Sequence, residues 1–77
     1  MDKEDLMRER FREILFESKI SISDFANTLG VSDTYVREIL HGERNVNARI
    51  MSSLEEKFNI NVDWLWNGNG NKYREVY

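Results

Sequence analysis

The chain of 77 residues contains no cysteine, no proline, four glycines and a single histidine. Without cysteine it can build neither a disulfide framework nor a thiolate metal site, and His41 alone has no second imidazole or thiolate with which to hold a metal. No metal and no cofactor are therefore expected, and helix-end stabilisation is the better reading of His41. Long apolar runs are missing too: nothing approaches the ~20 residues of a membrane-spanning helix. The first twelve residues carry Asp2, Lys3, Glu4, Asp5, Arg8, Glu9, Arg10 and Arg12, too many charges for the apolar part of a signal peptide. The expectation is a soluble, cytoplasmic protein. A basic excess is also lacking, since 11 Lys and Arg face 14 Asp and Glu for a formal net charge of -3. Such a balance counts against a nucleic-acid partner unless the acids gather on a far face and leave the contact face neutral or basic. Ser, His and Asp are present, but no nucleophile–base spacing and no phosphate-binding loop appears, and so small a chain has little room for an enclosed pocket; catalytic residues are not expected and the protein does not read as an enzyme.

What is present is helical periodicity with clear punctuation. In residues 3–18, Met7, Phe11, Ile14 and Leu15 recur at helical spacing, with Arg8, Glu9, Arg12 and Glu13 on the other faces. Leu6 and Phe16 lie off that stripe. Ser21 with Asp24 makes a capping-box-like start to a second helix over 22–29, whose inward residues are Phe25, Ala26 and Leu29, and Gly30 ends it. Ser32 caps a third helix that runs to about His41 before Gly42 stops it. Its Val36, Ile39 and Leu40 lie on one side, Thr34, Glu38 and His41 on the other, and Arg37 on the flank. Asn47 can cap a fourth helix carrying Ile50, Met51, Leu54 and Phe58, and Asn61 a short fifth one carrying Val62, Trp64 and Leu65. The expected fold is all-α: five helices forming one domain over 1–70, with 71–77 a loop and a frayed C-terminal tail. Trp64 is expected in the core. Trp66, facing elsewhere, is a candidate dimer contact.

The segment 21–42 has the pattern of a helix-turn-helix. Ala26, Gly30, Val31, Val36 and Ile39 each have a steric reason to be there: a small residue where two helices cross, a turn, and apolar side chains filling the wedge. These residues resemble the Cro/CI type of helix-turn-helix domain, the lambda-repressor-like family of phage repressors and many bacterial regulators. The likeness extends to Asp63-Trp64-Leu65 followed by Gly68-Asn69-Gly70, similar to the stretch that closes that domain in many phage repressors, so that it spans about 11–70.

The resemblance implies a sequence-specific DNA-binding regulator, a repressor that binds double-stranded DNA as a homodimer on a two-fold operator. It makes the third helix the recognition helix, with Asp33, Thr34, Arg37 and Glu38 nearest the bases. An arginine can pair bidentately with guanine, a threonine can meet a thymine methyl, and a carboxylate can accept from cytosine N4. Lys19, Ser32, Arg44, Asn45, Asn47 and Arg49 would lie along the phosphates. Four positions depart from the family's habit. Ile22 stands where a phosphate-touching Gln is common, Asp33 and Glu38 where Gln, Ser or Lys often occur, and Val46 where Pro is common, a change expected to affect only loop stiffness. The acidic total, Ile22 and the two carboxylates suit a second reading, a helix-turn-helix module that docks another protein, in the manner of an antirepressor or antitoxin partner. The discriminating property is the charge over the third helix and the Arg44 loop: neutral or positive for DNA, negative for the alternative.

Overall fold

The computed structural model describes residues 2–75. Five helices follow one another: α1 (Lys3–Ser18), α2 (Ile22–Leu29), α3 (Asp33–Leu40), α4 (Ala48–Phe58) and α5 (Val62–Asn67). Each begins at a residue whose side-chain oxygen accepts a backbone N–H of the first turn: Asp2 from Asp5, Ser21 from Asp24, Ser32 from Tyr35, Asn47 from Ile50 and Asn61 from Asp63. Such a cap replaces the water that the free N–H groups would otherwise need, and is worth about 0.5–2 kcal/mol. Gly30 ends α2 at φ 76, in left-handed backbone where a side chain would be strained.

The apolar stripes meet in one core. Phe11 and Phe25 are fully buried and touch edge to face at 5.7 Å between centroids, and Phe25 continues to Phe58 at 4.9 Å. Met7, Ile14, Leu29, Val36, Ile39, Ile50, Leu54 and Leu65 complete the packing expected from periodicity. Burying each large apolar side chain contributes about 1.5–3 kcal/mol, which is what orients helices too short to persist alone.

Three features differ from expectation. Val46 is a core residue, 6 % exposed, so its side chain anchors the α3–α4 loop and does not merely set its stiffness. Ile60 is completely buried although it lies between helices, where helical periodicity gives no signal. The described part of the tail is not frayed. Asn61 N–H donates to Lys72 C=O at 2.8 Å, Arg74 N–H donates to Asn59 C=O at 2.8 Å, and Ile60 and Tyr73 form an isolated antiparallel bridge. Lys72 reaches the α1 carboxylates Glu13, at 2.6 Å, and Glu17, while Tyr73 Oη–H donates to Glu17 at 2.8 Å. Hydrogen bonds from Lys72 and Tyr73 hold the Glu17 carboxyl below its usual pKa. Partial burial pulls the Lys72 pKa down, but hydrogen bonds to Glu13 and Glu17 outweigh it and leave the ammonium above its ordinary value. The segment 71–74 is thus a strap joining the loop before α5 to the end of α1. Trp64 sits half-buried at the core's edge, with Lys72 Nζ 5.5 Å from its ring.

Candidate nucleic-acid interface

Everything that presents α3 follows from the α2–α3 corner. Ala26 is wholly buried and contributes only a methyl group, which lets α3 approach α2 closely. Beyond it the chain reverses at Gly30, where Val31 N–H donates to Ala26 C=O at 3.0 Å. Ser32 then restarts the helix by accepting the Tyr35 N–H at 3.1 Å. Val36 and Ile39 are fully buried beneath α3, so Thr34 and Arg37 are turned outward and exposed. Ile22 packs partly buried against the core edge, which accounts for an apolar residue at the start of α2.

The four side chains expected near bases divide into two pairs. Thr34 and Arg37 make no hydrogen bond or ion pair with any described residue, so their polar atoms are available to a ligand. Asp33 and Glu38 are engaged. Ser23 Oγ–H on α2 donates to Asp33 Oδ2 at 2.5 Å, tying that carboxylate back across the corner. Glu38 does not pair with its neighbour Arg37; its Oε1 accepts from Arg44 Nε and Nη2 at 3.4 and 3.2 Å. Both carboxylates are therefore partly satisfied within the protein.

The residues expected along phosphates occupy varied environments. Lys19 sits exposed in left-handed backbone (φ 58) at the end of α1, and Arg49 projects from the first turn of α4; neither side chain has a partner among the described residues. Ser32 uses its oxygen as a helix cap and keeps its hydroxyl proton to donate. Asn45 Nδ2 donates to Glu4 on α1 at 3.3 Å. Asn47 spends both ends of its amide, Oδ1 capping α4 at 2.9 Å and Nδ2 donating to Tyr35 Oη at 2.9 Å. Arg44 lies over the Tyr35 ring, its guanidinium carbon 4.2 Å from the centroid. Trp66 is 37 % exposed, at the far end of the domain's chain order, with Lys3 Nζ 4.4 Å over its ring.

Several residues that organise this surface carry no obvious mark in the sequence. Tyr35 joins α3 to the following loop through its ring and its hydroxyl. Ser23 holds Asp33. Arg12 on α1 donates to Leu40 C=O at 2.9 Å and so fixes the end of α3. Ser23 stands ten residues before Asp33, on a different helix, and only the corner itself brings them together.

The electrostatic balance here differs from that of the whole chain. Over residues 32–49, Asp33, Glu38 and Glu43 are matched by Arg37, Arg44 and Arg49, so this surface is neutral while the chain as a whole stands at -3. On α1 the acids Glu4, Asp5, Glu9, Glu13 and Glu17 stand against the bases Lys3, Arg8, Arg10 and Arg12, a balance of -1. Among the described residues no group of histidine, cysteine or carboxylate side chains is arranged to hold a metal, and no helix is long and apolar enough to cross a membrane.

Comparison with known proteins gives two results. The helix-turn-helix family matches residues 10–65. A solved structure of the P22 c2 repressor protein, in complex with synthetic operator 9T in the presence of Tl+, superposes with a TM-score of 0.72 at 25 % sequence identity, over 83 % of this chain and 97 % of that one. No curated protein sequence matches.

Proposed function

Because the chain belongs to the helix-turn-helix family, we propose that it is a sequence-specific DNA-binding repressor whose α3 enters the major groove. The observation that carries this reading is the outward face of α3, where Thr34 and Arg37 stand exposed and unengaged on a surface without net charge. Thr34 would meet a thymine methyl or a base edge, and Arg37 a guanine through two parallel hydrogen bonds. Ser32, at the start of the same helix, and Lys19, Arg44 and Arg49 around it would donate to phosphates and set the register. Asn45 and Asn47 would support the loop from within. The P22 c2 repressor, which shares this helix order and is similar over most of its length, was solved on a synthetic operator, and this supports double-stranded DNA as the partner.

The finer reading is a homodimer on a two-fold operator, with half-sites centred about 34 Å apart, one turn of the duplex. The face that carries exposed Trp66 and Leu6 would meet a second copy. Glu9, Arg10, Arg12 and Glu13 put charges of both signs beside Leu6 along α1, so two copies can set acid against base. The protein works in the cytoplasm, where operator DNA is reached directly. Neutrality over α3 and its loop removes the main support for a protein-docking module, which would be expected to show a negative face there.

Selection of the purified protein against random duplexes at low salt tests the reading. Enrichment of one sequence, with a pseudo-palindrome if the dimer is correct, supports it. Recovery of no enriched site would defeat it.

A further inference from the structure

We propose that Glu38 is a positioning residue that braces Arg44 against the loop after α3 and does not read a base. The role rests on the DNA-binding reading above and assigns one carboxylate of the recognition helix a different task from its exposed neighbours.

Glu38 holds the loop twice. Its carbonyl accepts the N–H groups of Glu43 and Arg44 at 2.9 and 3.2 Å, and its carboxylate accepts Arg44 Nε and Nη2 at 3.4 and 3.2 Å. One turn earlier on the same helix, Tyr35 lies under the guanidinium at 4.2 Å, and the Tyr35 hydroxyl is itself fixed by Asn47 Nδ2 at 2.9 Å. Arg44 is therefore held on one edge by a carboxylate and on one face by an aromatic ring. The Nη1 edge of the planar group makes no hydrogen bond among the described residues and stays open for an anionic oxygen. A guanidinium fixed in this way loses less rotamer freedom when a phosphate arrives than one on a free loop.

The same geometry gives the Glu38 charge a partner inside the protein. Both Arg44 N–H groups fall on Oε1, so the carboxylate is oriented by Arg44 while its second oxygen keeps acceptor capacity; without Arg44 it would face the phosphates as a bare anion. Kept with Arg44, it presents a neutral pair to the groove and leaves the adjoining Arg37 as the positive group.

A double-mutant cycle separates the roles. Glu38→Ala is expected to weaken binding to the selected operator and to an unrelated duplex by the same factor, about two- to fivefold per half-site for a partly exposed pair. The effect is expected to vanish in an Arg44→Ala background. In the free protein, the Arg44 Nε–H resonance is expected to be resolved and slow to exchange with water, and to become averaged in Glu38→Ala. A loss confined to one operator base pair, a loss of equal size without Arg44, or tighter binding by Glu38→Ala would each overturn the brace. If the unaltered protein binds no duplex, the functional reading fails, and the Nε–H resonance still decides whether Glu38 holds Arg44.

Discussion

Substitution of Asn47 separates the stability of the domain from the shape of its α3 surface. The side chain does two jobs, capping α4 through Oδ1 to the Ile50 N–H and fixing Tyr35 through Nδ2. Asn47→Ala removes both. Losing a cap costs about 0.5–2 kcal/mol and losing an exposed hydrogen bond about 0.5–1 kcal/mol, for a combined loss of roughly 1–3 kcal/mol. A domain of this size loses about 4–8 °C of Tm per kcal/mol, so thermal unfolding followed by circular dichroism should show a drop of roughly 4–24 °C. Asn47→Asp keeps a capping oxygen and adds negative charge at a helix N-terminus, so its Tm should stay within a few degrees of the parent. The tie to Tyr35 can then re-form with the phenol as donor, but the interface gains an anion, and DNA affinity should fall without loss of fold. Equal destabilisation by Asp and Ala, or no destabilisation by Ala, would refute the capping role. Unchanged affinity in Asn47→Asp would refute its place beside the phosphates.

Other outcomes follow from single features. Gly30→Ala should cost about 1–2 kcal/mol in chemical denaturation, because a Cβ there meets no atom within 4 Å and only the left-handed backbone (φ 76) resists it. The strap over 71–74 should loosen at both ends of the pH scale. Glu17 has a lowered pKa in the fold, so its contribution is complete above the ordinary carboxylate range and is lost as pH falls through the folded value. Lys72 has a raised pKa, so its contribution is complete below the ordinary lysine range and is lost as pH rises through the folded value. Amide exchange at Asn61 and Arg74, whose N–H groups are bonded in the strap, should accelerate at acid pH and slow again near neutrality after correction for intrinsic rates. Arg37→Ala should relax preference at one base pair of each half-site by about 1–3 kcal/mol in competition binding, while leaving affinity for unrelated duplexes within a few-fold.

The helices and their limits were legible because each depends on near neighbours in the chain: a capping Ser or Asn, a terminating glycine, an apolar residue every three or four positions. The corner from Ser21 to Gly42 was legible for the same reason. Ile60 and Val46 escaped because they are buried from loops, where no periodicity marks an inward side chain. The strap escaped because Asn and Gly followed by charges look like a loose end; what fixes Lys72 is a pair of carboxylates 55 and 59 positions away. At the interface, the outward position of Thr34 and Arg37 could be read from helical phase, whereas the engagement of Asp33 and Glu38 could not. Asp33 meets Ser23 across a turn, and Glu38 meets Arg44 across the end of its helix, so their partners depend on how the chain reverses and not on spacing within one helix.

The most direct test of the central claim is a titration of 15N-labelled protein with its selected operator duplex, mapping where the backbone and arginine side-chain resonances move. The largest changes should fall on Ser32, Thr34 and Arg37 and on the loop around Arg44, with the Arg37 Nε–H shifted by the specific duplex and much less by an unrelated one. Changes centred on the outer face of α1, around Leu6 and Phe16, with α3 unmoved, would contradict it.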